Sequence, residues 1–223
     1  MPERPKLLAY TSPMILFALL ALNSGLKTFG GAFWLRSPEY WIYPAQTIFC
    51  GALLIWFWRD YSLAKPERLD FGLFVGVFAF ALWISPQALF GVAPRNVGFD
   101  PTVFGHQPAL SGATLGLRFL RLVVVVPLME EIFWRGFLLR YLIDENFERV
   151  PIGTFSWLSF TAVTVAFALS HSRPDWPAAL LTGMLYNAVA YRTKSLSTCV
   201  CTHAVTNLLL GLWIVYTRQW GFW

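Results

Sequence analysis

The sequence predicts an all-α, polytopic integral membrane protein, a helix bundle with about seven (six to eight) transmembrane helices. Three observations carry that expectation. The 223 residues are 57% hydrophobic and 17% aromatic, with a mean hydropathy of +0.54. Only 13% are charged, about half of what a soluble domain carries, which is too little to clothe a soluble surface. The apolar residues also fall into runs that approach the roughly 20 residues needed to cross a hydrocarbon core about 30 Å thick. A disordered chain, a coiled coil, a disulfide-rich secreted module and most soluble enzymes are excluded on these grounds.

The runs follow in order. The first, Leu7 to Leu26, comes after Arg4 and Lys6, but it is long and no small-x-small cleavage site follows it, so it reads as an uncleaved first span. Tyr40 to Trp58, Phe71 to Phe90 and Leu115 to Ile143 are the next three. Ile152 to Ser170, a shorter run from Trp176 to Ala190, and Leu196 to Tyr216 complete the set. Backbone groups in lipid must bond within their own segment, so these are helices; nothing alternates like a barrel strand. Trp34, Tyr40, Trp41, Tyr43, Trp56, Trp58, Trp220 and Trp223 gather at run ends as interfacial belts. Gly91 to Gly112, rich in Gly and Pro, is the one long loop. Gly72/Gly76 and Gly112/Gly116 have the small-xxx-small spacing of closely approaching helices. No repeat or second domain is visible, so residues 1–223 read as one membrane-embedded domain.

The net charge of +5 is not a nucleic-acid signal, because the basic residues are scattered. They suit loops facing anionic lipid head groups. Arg4, Lys6, Arg59, Lys65, Arg68, Arg140, Arg149, Arg192 and Lys194 fall on one side of the membrane; Lys27, Arg36, Arg95, Arg173 and Arg218 fall on the other. That bias predicts a cytoplasmic N-terminus. The cysteines Cys50, Cys199 and Cys201 lie in apolar runs and give no disulfide framework. Cys199-x-Cys201-x-His203 invites a metal reading, but on a helix Cys201 points about 200° away from Cys199, so the three cannot converge on one ion.

Ionisable groups inside apolar spans are costly and therefore functional candidates. Glu130 and Glu131 stand together in the fourth span. Glu131 and Arg135 are four apart and share a helix face, so they can pair. Glu130 lies about 100° further round the helix, which nominates it as the free carboxylate, a candidate general base. A buried ion pair joining two helices is the structural reading of the same motif. Downstream come Phe167-x-x-x-His171 and His203-x-x-x-Asn207; the latter two residues share a face and can address one ligand atom. A lone histidine in a membrane span is more often an interhelical hydrogen bonder. Two of the three histidines following a double glutamate, however, supply the base, the second water-holding group and the oxyanion donors that amide hydrolysis needs. His106, in the Gly/Pro loop, has no assigned role.

Taken in order, Glu130-Glu131-x-x-x-Arg135, Phe167-x-x-x-His171 and His203-x-x-x-Asn207 resemble the three motifs of the CPBP family, the type II CAAX prenyl endopeptidases and bacteriocin-processing membrane proteins. The stretch from Val126 to Phe137 and the ending Gln219-Trp220-Gly221-Phe222-Trp223 are similar, more narrowly, to the bacterial CAAX prenyl protease-related group associated with exosortase sorting systems. The resemblance implies an intramembrane glutamate endopeptidase. Glu130 and His171 would activate water, His203 and Asn207 would hold the oxyanion, and Glu131, Arg135 and Phe167 would support the site. One departure is Ser170, where that group is expected to carry Glu before the histidine. The resemblance implies no cofactor, with a zinc site of Glu130, His171 and His203 as the competing mechanism. The implied setting is the bacterial inner (cytoplasmic) membrane. The implied partners are membrane lipid, a membrane-bound peptide or protein substrate and an exosortase sorting system, with no nucleic acid. Other readings of the residues are a non-catalytic scaffold retaining the fold, a thiol protease using Cys199 one turn before His203, and a proton-coupled carrier, against which the lack of visible inverted repeats counts.

Overall fold

A computed structural model describes residues 6–22 and 31–223. Arg4 and Lys27, used above for orientation, and the end of the first apolar run lie outside the described residues. Among the described residues seven main helices follow the seven apolar runs: α1 (Lys6–Leu22), α2 (Glu39–Trp56), α3 (Leu69–Phe90), α4 (Pro108–Tyr141), α5 (Trp157–Leu169), α6 (Trp176–Thr193) and α7 (Leu196–Thr217). No strand occurs among the described residues. By length and composition α3, α4 and α7 can cross a membrane, and α1 and α5 are shorter apolar helices. The protein is a polytopic helical membrane protein.

The fourth helix corrects the sequence reading. It begins at Pro108, so Gly112 belongs to the helix and not to the preceding loop. Proline suits the first turn because the missing N–H would be unpaired there anyway. Two π-helical turns, Arg121–Val125 and Ile132–Leu138, interrupt α4 and bracket the double glutamate. Such i→i+5 turns are rare and concentrate at functional sites.

The chain packs as two compact units, one of Met1–Asp60, Pro94–Met129 and Gly211–Trp223, the other of Tyr61–Ala93 and Glu130–Leu210. In the first, α1 lies along α2, and Gln46 donates to the Phe17 carbonyl while accepting from Arg121 Nε at 2.9 Å. In the second, α6 packs against both α3 and α5.

The second unit is tightened by glycines. A Cβ on Gly72 would lie 2.7 Å from Thr198 and Thr202, and one on Gly76 would lie 2.6 Å from the Thr202 carbonyl. Thr206 Oγ1 donates to the Gly76 carbonyl at 2.8 Å. The Gly72/Gly76 spacing therefore marks a real helix approach. The same spacing at Gly112/Gly116 does not, since a side chain at either position would meet nothing within 4 Å.

Candidate active site

All the residues nominated from the sequence, Glu130, Glu131, Arg135, Phe167, His171, His203 and Asn207, lie in the second unit. Their placement begins with α7. Thr198, Thr202 and Thr206 form a stripe at four-residue spacing that seats this helix on the glycines of α3. Cys199, His203 and Asn207 form a second stripe one residue further on, hence about 100° round the helix. Seating the threonines on α3 turns the second stripe toward other partners, and Glu131 is one of them.

Glu131 is fully buried, and its Oε1 accepts from Arg135 Nη1 at 3.0 Å and from His203 Nδ1 at 2.9 Å. The carboxylate thus holds the expected arginine and also one of the two site histidines. Arg135 is fully buried with every guanidinium nitrogen bonded: Nε donates to Asn187 Oδ1 at 3.1 Å and Nη2 to the Gly183 carbonyl at 3.2 Å. The Phe167 and Tyr186 rings lie 5.1 and 5.3 Å from its Cζ. Buried charges persist when paired and hydrogen-bonded in this way.

Glu130 has no share in that network. Its Oε2 is buried without a hydrogen-bond partner, as is the Oε2 of Glu131, but Glu130 has no counterpart to the bonds that Glu131 Oε1 accepts. A buried acceptor left unbonded is unusual and calls for a functional explanation.

His171 lies just past the end of α5, whose 13 residues make it one of the shorter main helices. The turn that follows holds Pro174, and Pro177 lies at the start of α6. His171 Nδ1 donates to the Phe167 carbonyl at 2.8 Å, Ser170 Oγ donates to the same oxygen at 2.7 Å, and Trp176 Nε1 donates to the His171 carbonyl. Both histidines therefore spend Nδ1–H on an anchor and keep Nε2 for other chemistry. A row of rings joins them: Trp83 to His171 at 5.5 Å, His171 to Phe167 at 4.8 Å, Phe167 to Tyr186 at 6.3 Å and Tyr186 to His203 at 5.1 Å. Tyr186 also lies within electrostatic range of Glu130.

Several of these residues were not singled out from the sequence. Asn187 orients Arg135 and donates in turn to Thr164 Oγ1 at 3.0 Å. Gly183 lends its carbonyl, and a Cβ there would lie 3.2 Å from Phe167. Gly183 and Asn187 are four apart, the same spacing as Glu131 and Arg135, and that was the available signal. Cys199 is fully buried. Among the described residues no three His, Cys, Asp or Glu side chains form a group suited to hold a metal ion.

Residues 112–209 match the family model for type II CAAX prenyl endopeptidase, Rce1-like. The matched stretch is a little under half of the chain and contains every nominated site residue. The match supports kinship with the CPBP family of proteases, which the three ordered motifs resemble. No curated protein and no solved structure matches the chain.

Proposed function

We propose that the protein is an intramembrane endopeptidase that hydrolyses a peptide bond in a membrane-associated protein or peptide with water activated by Glu130. The carrying observation is the unequal treatment of the two glutamates: Glu131 Oε1 accepts from both Arg135 and His203, whereas Glu130 takes part in no ion pair or side-chain hydrogen bond among the described residues, and each keeps one buried oxygen without a partner. A carboxylate in that state can accept a proton from water as the water oxygen attacks the scissile carbonyl carbon. His171, anchored through Nδ1, offers Nε2 as the second acceptor that orients the water. His203, held at Nδ1 by the Glu131 carboxylate, leaves Nε2 for the substrate, and in this mechanism an Nε2–H there and the Asn207 amide donate to the oxyanion of the tetrahedral intermediate. Collapse breaks the C–N bond, and the proton held by Glu130 passes to the leaving amine. The proposed setting is the bacterial inner membrane with a cytoplasmic N-terminus, and a protein of an exosortase sorting system is the proposed kind of substrate.

The test uses the full chain in proteoliposomes with membrane-tethered peptides in ¹⁸O-labelled water. The expected result is label in the new carboxylate, no covalent adduct, and activity that survives both chelators and Cys199→Ala. His203→Ala and Asn207→Ala should each slow turnover by about 10²–10³, the usual loss for one oxyanion donor. Activity abolished by a chelator and restored by zinc would replace this mechanism with a metal-dependent one.

A further inference from the structure

Tyr186 sits among the site residues, yet the proposed chemistry gives it no task. It belongs to α6, three residues after Gly183 and one before Asn187, and both of those accept from Arg135. Residues three apart on a helix are surface neighbours. The two bonds from Arg135 therefore fix the rotation of α6 and turn Tyr186 toward the same network. Its ring is held on three sides, 6.3 Å from the Phe167 ring, 5.1 Å from the His203 ring and 5.3 Å from the Arg135 Cζ. The residue is 1% exposed.

The phenol oxygen is what packing does not account for. It is buried without a hydrogen-bond partner among the described residues. A buried hydroxyl left unbonded destabilises a fold, and phenylalanine would fill the same space without that cost. Glu130 and Glu131 lie within its electrostatic range and each has an unbonded Oε2, yet the hydroxyl donates to neither. It lies by Thr206, whose own hydroxyl proton goes to the Gly76 and Thr202 carbonyls. Thr206 precedes Asn207 and follows His203 by three residues, so the phenol oxygen meets α7 at the level of the two residues assigned to the oxyanion. A donor held in place and idle in the resting protein is available to charge that develops only during reaction.

We propose that Tyr186 is a further catalytic residue, whose hydroxyl donates to the oxyanion of the tetrahedral intermediate alongside His203 and Asn207. The inference rests on the hydrolytic reading of this site. As the water oxygen bonds to the scissile carbon, the carbonyl π pair moves onto its oxygen. The phenol donates a hydrogen bond to that oxygen and keeps its proton. The water proton still goes to Glu130 and from there to the leaving amine. Because the phenol bond is made only in the transition state, its removal lowers kcat and leaves KM.

The test compares Tyr186→Phe and Glu130→Gln with the wild type, each as the full chain in proteoliposomes with a membrane-tethered peptide, and measures the unfolding temperature of each. Tyr186→Phe is expected to unfold at or above the wild-type temperature, to keep KM and to lose about 10²-fold in kcat, as for one oxyanion donor. The acid limb of its pH–rate profile should coincide with that of the wild type, since the base is untouched. A wild-type kcat overturns the proposal. So does a rate loss accompanied by a lower unfolding temperature, which would make the hydroxyl a structural bond to Thr206. An acid limb moved to higher pH overturns the oxyanion role in favour of a bond to the Glu130 carboxylate. Should Glu130→Gln cleave at the wild-type rate, the hydrolytic reading falls and takes this proposal with it. Should Glu130→Gln be silenced while Tyr186→Phe is not, the tyrosine assignment alone falls.

Discussion

Two arginines of the same helix are treated in opposite ways by the two units. Arg118, in the first unit, is buried against aromatic faces: its Cζ lies 4.0 Å from the centre of the Tyr43 ring, 5.0 Å from Trp223 and 5.5 Å from Phe99. Its Nε and Nη1 have no hydrogen-bond partner. Arg135, in the second unit, is also fully buried, but all its nitrogens are bonded, and one of its acceptors is shared with His203. Aromatic faces attract a cation without fixing its orientation closely. A shared carboxylate fixes direction, and it passes that order to the histidine. The difference teaches where catalytic geometry can be built: a packed arginine fills space, whereas a bonded one positions its neighbours.

The largest contrast should come from replacing each arginine by methionine. Arg135→Met leaves Glu131 without its main counter-charge and strips donors from Asn187 and Gly183, and breaking a buried pair costs about 3–5 kcal/mol. Arg118→Met removes two unbonded donors and keeps most of the apolar stem, so about 1 kcal/mol or less is expected. Unfolding of both variants in the same detergent checks this, and equal losses would erase the distinction between the units.

A second pair sharpens the comparison through glycine. Gly76→Ala places a methyl 2.6 Å from the Thr202 carbonyl, and forcing α3 from α7 should destabilise by about 1–3 kcal/mol. Gly112→Ala, with nothing within 4 Å, should stabilise α4 by about 0.5–1 kcal/mol, because glycine is the poorer helix former. Unfolding midpoints that move in opposite directions are the expected readout.

Much of this architecture was legible in the sequence. The seven apolar runs correspond to seven helices because lipid forces both length and apolarity on a span. The Glu131–Arg135 pair follows from four-residue spacing alone. The α4 start was missed because the Gly- and Pro-rich stretch up to Gly112 looks like loop, although a proline at the first turn starts a helix well. Asn187 and Gly183 were missed because their four-residue spacing, one amide and one glycine in an apolar helix, gains a meaning only once Arg135 is placed beside them. Sequence spacing put His203 with Asn207 on one face, but it could not show that Glu131 of another helix would take the Nδ1 proton. That bond depends on how the threonine stripe seats α7 on α3, which is a property of packing.

The account stands most directly on Glu130, and the measurement that tests it is the cleavage rate of Glu130→Gln at a matched folded fraction. The amide has the same shape but cannot take a proton. A general base contributes about 10²–10⁴ to rate, so a loss of that order is predicted with the unfolding temperature unchanged. A Glu130→Gln protein that cleaves at the wild-type rate, or one that loses activity only because it no longer folds, would contradict the assignment of the free carboxylate.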